Sequence, residues 1–240
     1  MRLLGIFGMM LAAACCFGAE DFWSVREPAR WSGEEIRRMV TDSPWAREAQ
    51  VRLRAEGIDN FVTIPPARDS VDPAGTPPSV MPEILVRWDS AAPVCEACSR
   101  GGMDRPLFSC ISKLLYLSSL SEKFQKLQEE FYIVTVSNYP APAGANAPQH
   151  SEAANAALER LSGRIQQATF LKRKGRTPFK PAHVAALPAA DRLLLMIFFP
   201  RTEALSVADK EILFESNDGT IEISARFDLR KMIYRHALAL

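Results

Sequence analysis

The chain has 240 residues, of which 48% are hydrophobic and 24% are charged. This length is ample for one substantial core and short for two, and the ordinary composition excludes a wholly disordered or fibrous protein. Lysine and arginine together number 29, against 28 for aspartate and glutamate, which gives a formal net charge of +1. Such a balance argues against nucleic acid or another large polyanion as the partner of the whole surface.

The first 19 residues have the pattern of a signal peptide. Arg2 supplies a positive charge, an apolar run extends from Leu3 to Ala14, and small residues follow. The run is too short to cross a bilayer, which takes about 20 residues. We expect cleavage after Gly18 or Ala19 and export to the periplasm, to the cell envelope or out of the cell. Loss of Arg2 leaves 28 basic and 28 acidic residues, a mature chain with no formal net charge.

A lipid anchor is an alternative interpretation of the same segment. Ala12-Ala13-Ala14-Cys15 resembles a lipobox, although leucine is more usual three places before the cysteine. Lipid attachment at Cys15 or Cys16 would hold the protein to a membrane, and this anchor is the only membrane contact that we expect. A further alternative is an amino-terminal apolar helix packed in a cytosolic core.

Residues 20–64 are expected to form a helical arm. Ser32 and Glu35 fit a capping box that starts a helix. Ser43 followed by Pro44 predicts a second helix start, because proline suits the first helical position.

Three tryptophans fall within this arm, at Trp23, Trp31 and Trp45. Tryptophans at such spacing are expected to pack the arm onto a core. Stacking on sugars is the alternative interpretation.

A proline-rich segment separates the arm from the main domain. Six prolines fall between Pro65 and Pro82, mixed with Asp, Ser and Gly. Because proline fixes φ and lacks a backbone donor, residues 65–82 are predicted to form an extended linker. The main domain is then expected over residues 83–240.

The main domain alternates predicted strands and helices. The apolar and β-branched patterns predict strands over 84–88, 131–136, 169–172 and 193–199, and helices over 107–127 and 151–167. Asn217-Asp218-Gly219, flanked by alternating apolar residues, is the clearest hairpin signal. We therefore predict an α+β (mixed α/β) fold with a central sheet, helices packed against it and a carboxy-terminal β-hairpin. The first crossover is expected to join a parallel, right-handed pair of strands.

The sharpest chemical feature is Cys95-Glu96-Ala97-Cys98. It follows the strand that ends at Trp88, and this layout resembles the thioredoxin superfamily, in which a strand leads to a redox CxxC at a helix start. The resemblance implies a thioredoxin-like fold as the alternative fold. It also implies a thiol-disulfide oxidoreductase with Cys95 as nucleophile and Cys98 as resolving thiol. The cis-proline of that superfamily would have to be Pro178.

Several details favour a non-catalytic role for these cysteines. Pro93 intervenes after the strand, and Ser99-Arg100-Gly101-Gly102 reads as a loop where the redox helix should continue. A structural disulfide between Cys95 and Cys98, or two free thiols, is therefore expected. Cys110, on a predicted helix, is expected to be a buried apolar thiol.

No cofactor or metal is expected. His150, His183 and His236 are scattered and suggest no fourth zinc ligand at ligand spacing. The sequence also contains no GxSxG, P-loop, HExxH or GxGxxG motif, which argues against the enzyme classes that these motifs mark.

Lys172-Arg173-Lys174-Gly175-Arg176 is a local concentration of positive charge. A short basic run around a glycine is expected to be a solvated turn. The alternative is a site for phosphate or an anionic polymer.

Several stretches resemble a family of uncharacterised secreted bacterial proteins. They are Trp31-Ser32-Gly33-Glu34-Glu35, Thr41-Asp42-Ser43-Pro44-Trp45-Ala46, Val86-Arg87-Trp88-Asp89-Ser90-Ala91-Ala92-Pro93-Val94, Phe198-Phe199-Pro200-Arg201 and Phe227-Asp228-Leu229-Arg230-Lys231-Met232-Ile233-Tyr234-Arg235. Because they are spread over most of the mature chain, the resemblance concerns the whole protein. It implies secretion, and it implies neither an activity nor a dependence on a cysteine pair after Pro93.

Taken together, the sequence predicts an exported, non-catalytic envelope protein, a binding or assembly module whose partner is another envelope protein or a polymer. The alternative is an exported thiol-disulfide oxidoreductase that uses Cys95 and Cys98.

Overall fold

A computed structural model describes residues 21–54, 61–64, 83–100, 121–141, 151–189 and 192–240. The predicted signal peptide with Cys15 and Cys16, the predicted linker over 65–82, and Cys110 lie outside the described residues. Most of the helix predicted over 107–127 lies outside them as well.

The described residues form helices and strands in the following order. They are α1 (Phe22–Val25), a 3-10 turn (Pro28–Arg30), α2 (Gly33–Thr41), β1 (Ala46–Glu48), β2 (Gln50–Arg54), β3 (Phe61–Ile64), β4 (Leu85–Trp88), α3 (Ala92–Arg100), α4 (Ser121–Glu130), β5 (Phe131–Pro140), α5 (Glu152–Ala168), β6 (Thr169–Lys172), β7 (His183–Ala189), β8 (Arg192–Pro200), a second 3-10 turn (Val207–Asp209), β9 (Glu211–Asn217), β10 (Ile221–Asp228), β11 (Ile233–Tyr234) and β12 (Ala237–Leu238).

Two five-stranded sheets form the body of the protein. The first has the order β1-β4-β5-β8-β7 and the second the order β3-β2-β10-β9-β6, while β11 and β12 make a small separate hairpin. Every pairing between described strands is antiparallel. The fold is therefore α+β, as the sequence predicts.

The main core includes side chains from both sheets. Trp88 from the first sheet meets Phe227 from the second edge to face, with ring centroids 5.8 Å apart. Both residues belong to one continuous cluster of buried side chains. Burial of such large rings is the dominant favourable term in holding two sheets together.

The strands predicted over 84–88, 131–136, 169–172 and 193–199 are confirmed as β4, β5, β6 and β8. The continuous apolar run over 193–199 forms β8, which contributes Leu195 to the main core and Leu194 to a second apolar cluster on the opposite face of its sheet. The hairpin predicted around Asn217-Asp218-Gly219 joins β9 to β10, and Gly219 takes the positive φ of 93° that this turn requires.

The parallel pair predicted for the first crossover is wrong. β4 and β5 pair antiparallel, with Trp88 opposite Val134 and Leu85 opposite Ser137. In an antiparallel pair the second strand begins at the end of the sheet where the first one stops, so the connection after β4 returns the chain to that end. The segment acts as a long hairpin connection and not as a βαβ unit.

Of the residues described between 21 and 64, those of the expected arm are helical only as far as Thr41. The capping box of Ser32 and Glu35 at the start of α2 is confirmed. The second helix start at Ser43 is wrong, because the Ser43 hydroxyl donates to the Met39 carbonyl at 2.7 Å at the end of α2. The chain then continues into β1 and β2, which pair with β4 and β10 of the two sheets.

The last residues of the chain pack on the domain. The indole nitrogen of Trp45 donates to the carbonyl oxygen of Ala239 at 2.6 Å. Arg201 donates to the carbonyl oxygen of Leu240 at 2.6 Å, and its guanidinium lies 4.1 Å from the centre of the Tyr132 ring. These contacts place the β11–β12 hairpin beside the amino-terminal segment.

Candidate functional site

Cys95 lies inside helix α3 and not at its start. The helix begins at Ala92, so Cys95 is its fourth residue and Cys98 its seventh. Cys95 carries a free thiol, whereas Cys98 is disulfide-bonded to a cysteine outside the described residues. The disulfide between Cys95 and Cys98 that the sequence suggests is therefore not formed.

The free Cys95 thiol makes two hydrogen bonds, both with residues other than Cys98. Its Sγ donates to the carbonyl oxygen of Asp89 at 3.2 Å. Nε2 of Gln128, on α4, donates to the same sulfur at 2.9 Å. The thiol thus connects the loop after β4 to α4, and it packs beside the second apolar cluster.

The surroundings of Cys95 oppose ionisation. Burial is the largest cause and the Asp89 carboxylate adds to it, so that the pKa of the Cys95 thiol rises to about 12, although the hydrogen bond from Gln128 acts in the opposite direction. A redox nucleophile needs a lowered pKa, because the thiolate is the reactive form. This environment suits a structural thiol.

A buried ion pair lies under the same loop. The guanidinium of Arg87 donates through two nitrogens to the carboxylate of Asp89, one of these bonds being 3.1 Å long, and both side chains are almost fully buried. A planar guanidinium that meets a carboxylate through two bonds fixes its orientation as well as its charge. The pair therefore fixes the position of Asp89, whose carbonyl oxygen accepts the hydrogen bond from the Cys95 thiol.

The cis-proline sought at Pro178 is not found. No peptide bond among the described residues is cis. Together with the position of Cys95 inside α3, this leaves the Cys95–Cys98 segment without two features that the thioredoxin resemblance implies, a CxxC at a helix start and a nearby cis-proline.

The basic run over 172–176 forms the turn that the sequence predicts. Gly175 has a positive φ of 71°. Arg173 is buried, lies 4.5 Å from the centre of the Phe179 ring and pairs with Glu203. The Arg173 charge is thus balanced within the fold by the Glu203 carboxylate.

The three tryptophans of the amino-terminal segment are buried in the main core, which confirms the packing interpretation. The ring of Trp23 meets that of Trp45 at 5.7 Å, and the ring of Trp31 meets that of Tyr234 at 6.5 Å. The tryptophans therefore fix α1 and the 3-10 turn against the carboxy-terminal hairpin.

A cavity of about 290 Å³ lies between these two segments. Residues 23–28 form one wall and residues 233–236 form the other. The wall contains both apolar and charged side chains, a combination that is usual for binding sites. Sequence reasoning missed this site because its walls are about 200 positions apart in the chain.

Tyr234 lines this cavity and is only 5% exposed. Its hydroxyl is buried and makes no hydrogen bond of standard geometry with a described residue, and the Arg235 side chain interacts with it only weakly. Burial raises the pKa of this phenol, while the nearby Arg235 guanidinium lowers it. A buried polar atom without a partner is costly, and in native proteins such an atom calls for an explanation.

The two residues after Tyr234 hold an uncommon backbone conformation. Arg235 and His236 form the two-residue loop between β11 and β12, and their φ values are 49° and 66°. Loops of this kind favour Asn-Gly, because positive φ is costly for residues with a Cβ. Strain of this kind is typical of binding and catalytic sites.

Arg26, Glu27 and Arg235 are the charged side chains that line the cavity, and Glu96 lies beside Arg235. Nη2 of Arg235 lies 3.9 Å from a carboxylate oxygen of Glu27 and 3.9 Å from one of Glu96 on α3. Both distances exceed hydrogen-bond length, so Arg235 is attracted to both carboxylates without a directional bond to either. Arg26, also in the wall, is paired with Glu35 at 2.5 Å.

The described part of the chain contains neither a cluster of metal ligands nor a membrane-spanning helix. Within those residues, no three His, Cys, Asp or Glu side chains come together in a way that could hold a metal ion. The helices described there are too short or too polar to cross a bilayer.

The chain matches no protein-family model, no curated protein and no solved structure. The resemblances to secreted bacterial proteins and to the thioredoxin superfamily therefore stay predictions.

Proposed function

We propose that this protein is an exported, non-catalytic binding module of the bacterial cell envelope, which recognises its partner at the cavity between residues 23–28 and residues 233–236. The observation that carries the proposal is the cavity itself, whose wall joins the Trp23 and Tyr234 rings with the charged side chains of Arg26, Glu27 and Arg235. A partner that enters the cavity can pack against the aromatic rings and form ion pairs with the charged side chains, which are the contacts that binding sites use.

The rigidity of the cavity supports the same proposal. Both walls are fixed to the core by aromatic contacts, those of Trp23 with Trp45 and of Trp31 with Tyr234. A preformed site loses little conformational entropy when it binds, which favours affinity.

The state of Cys95 supports binding over thiol-disulfide chemistry. A thiol with a pKa of about 12 is almost wholly protonated at neutral pH, and its sulfur is engaged by two hydrogen bonds. We expect no reduction of insulin disulfides by the purified protein, either as the natural sequence or as Cys95→Ser.

Site-specific photocrosslinking in the native cells tests the proposal. Val25 lines the cavity and is 55% exposed, so p-benzoylphenylalanine can replace it without disturbing the core. Val207, at 42% exposure and outside the cavity wall, is the matched control position. Fractionation of the same cells, with sequencing of the mature amino terminus, tests export.

We expect discrete adducts from position 25, none from position 207, and a mature chain in the envelope fraction that begins after residue 18 or 19 or at a lipidated cysteine. Absence of adducts at position 25, or the same adducts at both positions, would contradict the binding site. A full-length chain among cytosolic proteins would contradict export.

A further inference from the structure

We propose that the mature protein carries one disulfide bond, between Cys98 and Cys110, and that the fold keeps Cys95 out of it. The bond is a covalent modification made by a disulfide-carrying oxidoreductase of the cell envelope. The inference goes beyond the proposed function and rests on it only for export, which supplies an oxidising compartment.

The partner of Cys98 follows from the positions of the cysteines in the chain. Cys98 is disulfide-bonded and Cys95 carries a free thiol, so the bond reaches one of the remaining three cysteines. Two of these, Cys15 and Cys16, belong to the predicted signal peptide, and a mature chain that begins after residue 18 or 19 lacks both. Cys110 is then the one cysteine left for Cys98. This pairing replaces the free thiol that the sequence suggests at position 110.

The two cysteines of α3 belong to different parts of the interior. Cys98 is 3% exposed and is part of the main core. Cys95 instead borders the second apolar cluster, where its sulfur is held by hydrogen bonds with Asp89 and Gln128. A bond between Cys95 and Cys98 would break both hydrogen bonds and move the Cys95 sulfur out of that cluster.

The chemistry of disulfide exchange favours the same pairing in the folded chain. One thiolate of the protein attacks the disulfide of the oxidoreductase, and the second thiolate then displaces the oxidoreductase from the mixed disulfide. The protein loses two electrons and two protons, and the disulfide of the oxidoreductase is reduced to two thiols. Because burial raises the pKa of the Cys95 thiol to about 12, the Cys95 thiolate is too scarce to compete in either step.

The two cysteines of α3 therefore stabilise the protein in different ways. A bond from Cys98 to Cys110 closes residues 98–110 into a loop, which removes conformations from the unfolded chain. The Cys95 thiol acts in the folded chain, where its hydrogen bond with Gln128 connects α3 to α4. Loss of the covalent bond should be visible with a reductant, whereas loss of the Cys95 thiol should leave the effect of the reductant unchanged.

The experiment is a disulfide map of the mature protein purified from the envelope of native cells. The chain is denatured without reductant at weakly acidic pH, its free thiols are alkylated with N-ethylmaleimide, and it is digested with trypsin and Glu-C. Cleavage after Glu96 separates Cys95 from Cys98, and cleavage after Arg100 separates Cys98 from Cys110. The same chain without residues 1–19, produced in the cytosol, is the control for the compartment.

We expect the Cys98 peptide to be linked to the Cys110 peptide and Cys95 to be alkylated. The cytosolic chain should have all three cysteines alkylated, because the cytosol keeps thiols reduced. The map is read on the natural sequence, so it decides the pairing even where a variant does not fold.

Denaturant unfolding with and without dithiothreitol measures what the bond contributes. The reductant should raise the unfolding equilibrium constant of the natural sequence by about a hundredfold, the effect of opening a loop of this length. Cys95→Ser, the matched control, should respond equally. Cys110→Ser should not respond, since it has no bond to lose.

Four results would overturn the inference. They are three alkylated cysteines in the envelope protein, a linked pair of Cys95 and Cys98, a bond from Cys98 to Cys15 or Cys16, and a full response to reductant in Cys110→Ser. A bond that forms equally in the cytosolic chain would overturn the role of the envelope oxidoreductase. None of these results touches the proposed binding site, which is judged by the adducts from position 25.

Discussion

The Cys95 thiol and the Tyr234 hydroxyl are both withdrawn from solvent, and they differ in what surrounds them. The thiol donates to Asp89, accepts from Gln128 and borders a packed apolar cluster. The hydroxyl makes no hydrogen bond of standard geometry with a described residue and belongs to the wall of a cavity. The comparison teaches that a conspicuous motif can be fully engaged within the fold, while an inconspicuous residue can have bonding capacity that the described residues do not use.

The largest expected effect concerns the ion pair beneath the Cys95 loop. Asp89→Ala removes a buried carboxylate from the buried Arg87 guanidinium, and such a change costs about 3–5 kcal/mol of unfolding free energy. Denaturant unfolding measures it. The exposed pair of Asp228 and Arg230 is the control, and Asp228→Ala should cost less than about 1 kcal/mol. Equal losses in the two variants would show that the pair does not support this region.

The second largest expected effect is a slow reaction of the Cys95 thiol with alkylating agents. Because the pKa of its thiol is raised to about 12, alkylation at pH 8 should be about a thousandfold slower than for an ordinary thiol, whose pKa lies near 8.5. The rate should rise about tenfold for each unit of pH up to pH 10 without a plateau. Peptide-resolved mass spectrometry of iodoacetamide adducts measures it, with the denatured protein as control. Rapid alkylation at pH 7 would restore the case for a reactive cysteine.

Two tyrosines allow the same comparison between a hydrogen-bonded hydroxyl and one without a standard hydrogen bond. The Tyr139 hydroxyl donates to the Asp218 carboxylate at 2.7 Å, whereas the Tyr234 hydroxyl makes no hydrogen bond of standard geometry with a described residue. Tyr139→Phe should therefore lower the free energy of unfolding by about 1–2 kcal/mol, and Tyr234→Phe should change it by less than about 0.5 kcal/mol. A larger loss in Tyr234→Phe would reveal a bond within the fold.

The smallest expected effect is a gain in stability at the strained loop. Arg235→Asn combined with His236→Gly installs the residues that prefer positive φ at both positions, and it should raise the free energy of unfolding by about 1 kcal/mol. Thermal unfolding measures it. Unchanged or reduced stability would mean that other contacts of these side chains outweigh the strain.

Local signals in the sequence predicted local structure well. The capping box at Ser32 and the turn at Asn217-Asp218-Gly219 depend on residues that are near each other in the chain, and the structure has both. The apolar run of β8 was also recognisable, because a strand buried on both faces excludes polar residues.

Long-range pairing could not be predicted in the same way. The direction of β5 relative to β4 depends on the end of the sheet at which the chain re-enters it after the intervening segment. No local residue pattern indicates which end that is. The cavity has the same origin, since Trp23 and Tyr234 meet only because β1 and β2 join the sheets and bring the two ends of the chain together. The partners of Cys95 were unpredictable for this reason as well, and its CxxC pattern therefore indicated a disulfide that the structure does not form.

The most direct test of the account compares the two regions in one assay, the photocrosslinking from position 25. Cys95→Ser alters the conspicuous motif, and Ser24→Trp, at an exposed position in the cavity wall, fills the cavity without touching the core. The account predicts that the adducts persist in Cys95→Ser and disappear in Ser24→Trp. Adducts that vanish in Cys95→Ser and persist in Ser24→Trp would contradict it.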